Sequence, residues 1–208
     1  MNGFVLRSAP TSADCHPVAS EDRWADESFA SVLGAARAGG RWAFERLYNS
    51  LAPAVVGYLR VQGAREPEDL TSEVFERIFT NLQRFEGSEA QFRSWVFTIA
   101  HHRLVDHRRR LLREPMPEHQ LTPYGLDGGV GGDVEDEALR RVATARVRHL
   151  CDRLIPDQRD VILLRLFGDL TIDAVADLLG KSPGAVKALQ HRAVTSLRRL
   201  VEREGVTF

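Results

Sequence analysis

The sequence predicts an all-α chain: two helical domains joined by a flexible acidic linker. Three observations carry that prediction. Apolar residues recur at three- and four-residue intervals through most of the chain, and no useful length alternates as a strand would. From Glu114 to Gly132 this periodicity stops, replaced by Pro115, Pro117, Pro123, Gly125 and a run from Gly128 to Gly132 that only Val130 interrupts. Charge is segregated too. Arg93, Arg103, Arg108, Arg109, Arg110 and Arg113 face one opposing Asp106, an all-acidic stretch runs from Glu114 to Glu137, and Lys181 to Arg203 is basic apart from Glu202.

The elements follow in order. Residues 1–40 read as an N-terminal extension, largely disordered, with a short helix over Asp26–Ala38. The first domain spans 41–113. Gly39-Gly40 precedes a helical pattern from Arg41 to Gln62, and a second runs from Pro67 to Phe85. Gly87 breaks it. Ser88-Glu-Ala-Gln91 then reads as a capping box opening a long helix to about Arg113. The linker occupies 114–138, within which a helix resumes near Asp133 and continues to Leu154. The second domain spans 139–208. Pro156 starts a helix to Phe167, Gly168-Asp169 ends it, and helices over Ile172–Leu179 and Pro183–Arg203 complete the chain.

Composition narrows the function classes. Apolar residues make up 43% of 208, enough for one ordinary domain or two small ones, and 27% are charged, so the whole chain is neither disordered nor fibrous. No apolar run approaches the ~20 residues that span a bilayer. Met1 to Ser20 lacks a basic start followed by an apolar stretch, so no signal peptide is read and a cytoplasmic location is expected. Cys15 and Cys151 are the only cysteines and form no Cys-x-x-Cys motif; both are expected as reduced thiols. Cys15-His16 lacks partners at ligand spacing, and adjacent His101 and His102 point in different directions on a helix, so neither a metal site nor a cofactor is expected. There is no phosphate loop and no Gly-x-Ser-x-Gly, and no enzymatic chemistry is expected.

The net charge of −1 conceals two regions suited to nucleic acid. Leu170 to Lys187 has the form of a helix-turn-helix. Thr171 can cap its first helix, Gly180 stops that helix, and Ser182 with Pro183 starts the next. On this second helix Val186, Leu189, Ala193, Leu197 and Leu200 form the core face. Lys187, Gln190, His191 and Arg198 lie opposite, with Arg192 and Arg199 flanking, a set that can hold phosphates and read base edges. In the first domain Leu70, Val74, Ile78 and Leu82 repeat every four residues beside Phe75 and Phe79, while Asp69, Glu73 and Glu76 form an acidic stripe. That stripe is either a solvated face or a docking surface for a basic partner. Phe92, Trp95, Val96, Ile99 and Ala100 define the buried stripe of the next helix, His101 and His102 interrupt its outside, and Arg108 to Arg110 make its end basic. Trp95 reads either as core or as a wedge against an unstacked base.

These residues resemble the extracytoplasmic-function (ECF) class of bacterial RNA polymerase sigma factors. Glu68-Asp-Leu-Thr-Ser-Glu-Val-Phe75, Phe85 to Ala100 and Asp106 to Arg110 look like their region 2, a helical bundle. Leu154 to Arg165 with Leu170 to Leu200 look like their region 4, the helix-turn-helix. The resemblance spans about Arg41 to Arg203. It implies that region 2 binds the clamp helices of the largest subunit of core RNA polymerase through Asp69, Glu73, Glu76 and Arg84. It implies that the loop 86–91 and the helix carrying Arg93, Trp95, His101, His102, Arg103, Arg108, Arg109 and Arg110 capture the melted minus-ten element. Region 4 would touch the polymerase flap and read the minus-thirty-five element as duplex through Ser182, Lys187, Gln190, His191, Arg192 and Arg198. An anti-sigma factor is the implied regulator, and an acidic linker could mimic RNA in the polymerase cleft. Ala174 departs from the family, which often carries Glu there. The main rival reading is a stand-alone regulator that uses only the helix-turn-helix and binds a palindrome as a dimer.

Overall fold

A computed structural model of the chain describes residues 28–113 and 145–203. The first module comprises α1 (Phe29–Arg37), α2 (Arg41–Val61), α3 (Pro67–Asn81), a single 3₁₀ turn (Leu82–Arg84) and α4 (Glu89–Arg113). In the second, a helix over 145–152, here α5, leads into α6 (Pro156–Phe167), α7 (Ile172–Leu179) and α8 (Pro183–Arg203). Every described element is helical, as the periodicity predicts. The linker, the N-terminal extension before Ser28 and the start of the helix expected from Asp133 lie outside the described residues.

Local chemistry sets the helix limits. Ser28 caps α1, its Oγ accepting the Ser31 N–H at 3.2 Å. Pro67 opens α3 at the position where a missing N–H costs no hydrogen bond. The helix expected to run to Phe85 instead ends at Asn81 and tightens into the 3₁₀ turn, a common way to close a last turn. At the start of α4 the capping box forms in both directions. Gln91 Oε1 accepts the Ser88 N–H at 2.8 Å, and Ser88 Oγ accepts the Gln91 N–H at 3.4 Å.

Two aromatic clusters join the helices of the first module. Phe44, Tyr48, Phe75 and Phe79 pack between α2 and α3, with centroids 4.8–5.7 Å apart. Phe29 of α1 meets Phe92, while Phe85 meets both Phe92 and Trp95, at 5.2–5.6 Å. Loop 86–91 therefore runs between two ends of one aromatic cluster, with the capping box between them.

The buried arc of α4 is wider than its sequence stripe. Phe92, Val96 and Ala100 are buried as expected, but Phe97 and Leu104 are equally inaccessible, whereas Trp95 and Ile99 are half-buried. The reason is a second neighbour. Phe97 faces Tyr58 of α2 at 5.6 Å, and its ring also lies against Gly168 at the end of α6. Apolar residues of both modules thus belong to one continuous core.

This two-sided packing predicts a sharp contrast. Phe97→Ala should lower the free energy of unfolding by about 3–5 kcal/mol in urea titration. Leu112→Ala, at a side chain 87% exposed, should change it by no more than ~0.5 kcal/mol. Similar small values for both would refute the interior position of Phe97.

Candidate functional site

The helix-turn-helix is built by contacts local in sequence. Thr171 Oγ1 accepts the Ala174 N–H at 3.1 Å and caps α7. Gly180 ends α7 in the left-handed region at φ 64°, and the Lys181 N–H reaches back to the Ala176 carbonyl at 2.9 Å. A side chain at Gly180 would be strained there. Ser182 Oγ then caps α8 by accepting the Ala185 N–H at 3.2 Å. Lys181 is occupied in fixing the turn, its Nζ lying 2.8 Å from Asp157 Oδ2 on α6. Arg165 donates to the Leu170 carbonyl across the same corner.

The α8 face comes out as its spacing predicts. Val186, Leu189 and Ala193 are buried; Leu197 and Leu200, expected in the same core stripe, are half-buried. Ser182, Lys187, His191, Arg192 and Arg198 are exposed on the other side, and Gln190 is half-buried at the border. A capped, two-faced helix with cations around amide and imidazole groups can both hold phosphates and approach base edges.

The candidate residues of α4 divide. His102, Arg109 and Arg110 are exposed, and Arg109 sits 3.7 Å from Asp106. Arg103 is half-buried and pairs with Glu73 of α3 at 3.9 Å, so the predicted nucleic-acid and polymerase residues adjoin. Trp95 stacks on Phe85 with planes 15° apart, which makes it a half-buried member of the aromatic cluster. Arg93 is 6% exposed, beside Glu89 at 4.0 Å. His101, expected on the outside with His102, is 9% exposed. That placement is corrected by the packing: His101 shares the buried face of Phe97 and Leu104, and its Nδ1 lies 2.8 Å from the Tyr58 hydroxyl of α2. On α3, Asp69, Glu73 and Glu76 are exposed in one stripe, and Arg84 is exposed in the 3₁₀ turn.

Around His101 the structure assembles a polar cluster that sequence reasoning missed. Tyr58 and His101 Nδ1 are hydrogen-bonded at 2.8 Å in the interior. Burial, reinforced by Asp160, holds the Tyr58 hydroxyl protonated far above its usual range. The hydroxyl therefore donates, and Nδ1 accepts from it as a neutral imidazole. Above them Gln62 bridges the two modules. Its Nε2 donates to Asp160 Oδ1 at 2.6 Å, while its Oε1 accepts from Arg108 at 3.0 Å. Arg108 also donates to the Gln62 main-chain carbonyl. Of these residues only Arg108 and His101 stood out in sequence, and for other reasons. One usable signal existed: Gly57, in the interior of α2, where glycine costs about 1 kcal/mol relative to alanine and so implies a packing role.

Fold and surface chemistry define a two-module, all-α protein built around a helix-turn-helix. Comparison with known proteins makes that class specific. Residues 47–114 match the family model of Sigma-70 region 2, and residues 152–199 match that of Sigma-70, region 4. The chain is 35% identical over 173 residues to the ECF RNA polymerase sigma factor BldN of Streptomyces coelicolor, covering 80% of this chain and 63% of that protein. It is 34% identical over 140 residues to the ECF RNA polymerase sigma factor ShbA of Streptomyces griseus, covering 65% and 72% respectively. Among solved structures, that of CnrH in complex with the cytosolic domain of CnrY shares the fold, with a TM-score of 0.59 at 21% identity over 83% of this chain and 96% of that one. The chain belongs to the ECF RNA polymerase sigma factors.

The buried histidine predicts a pH dependence. Burial lowers the His101 pKa below its ordinary 6.5; Asp160 opposes that shift, while His102 and Arg108 add to it. As pH falls, the unfolded chain takes up this proton before the folded chain does. The stability His101 contributes is therefore complete above its ordinary value and lost as pH drops below it. The urea midpoint should fall between about pH 7.5 and about pH 5.5, and His101→Gln should flatten that fall. An unchanged slope in His101→Gln would assign the effect to another group.

Proposed function

We propose that this chain binds core RNA polymerase and directs promoter-specific transcription initiation by reading two promoter elements in two physical states. The observation that carries this reading is the order and separation of the two sigma regions, each on its own helical module. On α8, Lys187, Arg192 and Arg198 hold phosphates of the minus-thirty-five duplex, and Gln190 and His191 approach its base edges, with Ser182 at the helix start. On α4, His102, Arg103, Arg109 and Arg110 hold the minus-ten strand beside loop 86–91, and Trp95 lines the melted region. Arg93, His101 and Arg108 support that surface from within. Asp69, Glu73, Glu76 and Arg84 dock the clamp helices of the polymerase.

No catalytic chemistry is assigned to any residue; the chain acts by binding. Neither DNA site has to be strong alone, because tethering the modules gives each a high effective concentration once the other is bound. An anti-sigma protein covering either surface would silence both. The protein works where core polymerase is, in the cytoplasm. No helix among the described residues is long and apolar enough to cross a membrane.

Co-purification with core polymerase followed by run-off transcription from a promoter library tests this directly. Stable binding with promoter-specific transcripts is expected. An intact protein that ignores polymerase but binds a palindrome would identify a stand-alone regulator instead. Substitutions separate the roles. Lys187→Ala should weaken duplex binding evenly across sequences and reduce the salt slope by about one. Gln190→Ala should cost roughly 1–3 kcal/mol at one base position and relax preference there. Asp69→Ala with Glu76→Ala should weaken polymerase binding by roughly two- to tenfold, the range expected for exposed charge pairs.

A further inference from the structure

We propose that residues 21–27 form a built-in competitor for the melted minus-ten strand. Trp24 takes the place of an unstacked base beside Trp95, and Glu21 and Asp22 take the place of phosphates against His102 and Arg103. The proposal rests on the assignment of α4 to that strand in the sigma-factor reading above. Its first support is where the segment ends. Ser28 has extended backbone and caps α1, so the chain enters that helix from outside it. Phe29, the next residue, rests on Phe92 at 5.6 Å, and Phe92 lies 5.9 Å from Trp95. The residues before Ser28 therefore start two ring contacts away from the surface assigned to melted DNA.

The second support is reach. Trp24 stands four positions before Ser28, about 13 Å of extended chain, and Glu21 stands seven before it, about 23 Å. Along α4 the distance from Phe92 to His102 is about 15 Å. A segment anchored beside Phe92 thus brings its ring to Trp95 and its first carboxylates to His102 and Arg103. The third support is complementary chemistry. The segment reads Glu21-Asp-Arg-Trp-Ala-Asp-Glu27, and Trp24 is the only Phe, Trp or Tyr between Phe4 and Phe29. On α4, half-buried Trp95 and Ile99 lead to exposed His102 and half-buried Arg103. Single strands are held by the same two means, aromatic faces for bases and cations for the backbone. Asp26 and Glu27 also suit the positive end of the α1 dipole. Because the competitor is tethered at an effective concentration of about millimolar, a weak contact is enough to occupy the site.

The test uses the full chain with Cys15→Ser, in which the other thiol, Cys151, is buried. A nitroxide on Ser20→Cys should broaden the amide signals from His102 to Asp106, and Trp24→Ala should abolish that broadening. A fluorescent random-sequence single strand of about 16 nucleotides then reads the competition at low salt. Trp24→Ala should bind it about tenfold more tightly than wild type, as expected when the segment is seated in about nine molecules in ten. That substitution changes no charge, so lost repulsion between acidic residues and DNA cannot produce the gain. Glu21→Gln with Asp22→Asn should act in the same direction. A wild-type chain without broadening at His102–Asp106 overturns the proposal, as does a Trp24→Ala chain that binds the strand no better than wild type; equal binding by all forms leaves the assignment of α4 intact. If no form binds the strand, that assignment falls, and the competitor with it.

Discussion

The buried polar junction between α2, α4 and α6 is the constraint on which the rest of the arrangement depends. A hydroxyl and an imidazole lie in the interior, and each is costly there unless paired. Tyr58 and His101 satisfy one another, which fixes the rotation of α4 against α2. Gln62 ends α2 and completes the seal, since its amide gives Asp160 a donor and Arg108 an acceptor at once. Phe97, one turn before His101, then has a single place to go: between Tyr58 and the backbone at Gly168.

With α4 held in this way, one helix serves three tasks on three sides. One side completes the first module's core through Phe92, Val96 and Ala100. Another carries the exposed basic end formed by Arg109 and Arg110, while Arg103 leans on Glu73 at the border with the acidic stripe of α3. The third receives α6. This division explains why α4 is poorly described by a single apolar stripe: its polar residues include both surface groups and members of a buried network. The ion pairs at its margins add little stability, because exposed pairs are worth only ~0–1 kcal/mol. Their importance lies in where they position charge.

The second module is governed by nearer causes. Thr171, Gly180, Ser182 and Pro183 lie within thirteen consecutive positions and define both ends of α7 and the start of α8. Once those limits are set, the 3.6-residue period alone decides that Val186, Leu189 and Ala193 turn inward while Lys187 and His191 turn out. Asp157 and Arg165 only hold the corner at its angle.

The sequence by itself determined that the chain is helical, the caps at Ser88, Thr171, Gly180 and Ser182, and the surface of α8, because capping and amphipathic spacing act over four residues or fewer. It also determined the family, through two motifs in order. The capping box at Ser88 and Gln91 and the acidic stripe on α3 were legible for the same reason. Only the tertiary structure decided the fate of His101, Arg93 and Phe97, and only it brought Gln62 to Asp160. Those two residues are 98 positions apart, and nothing in the residues around either of them names the other. A buried polar network depends on which helix packs over it, and local periodicity does not encode that choice.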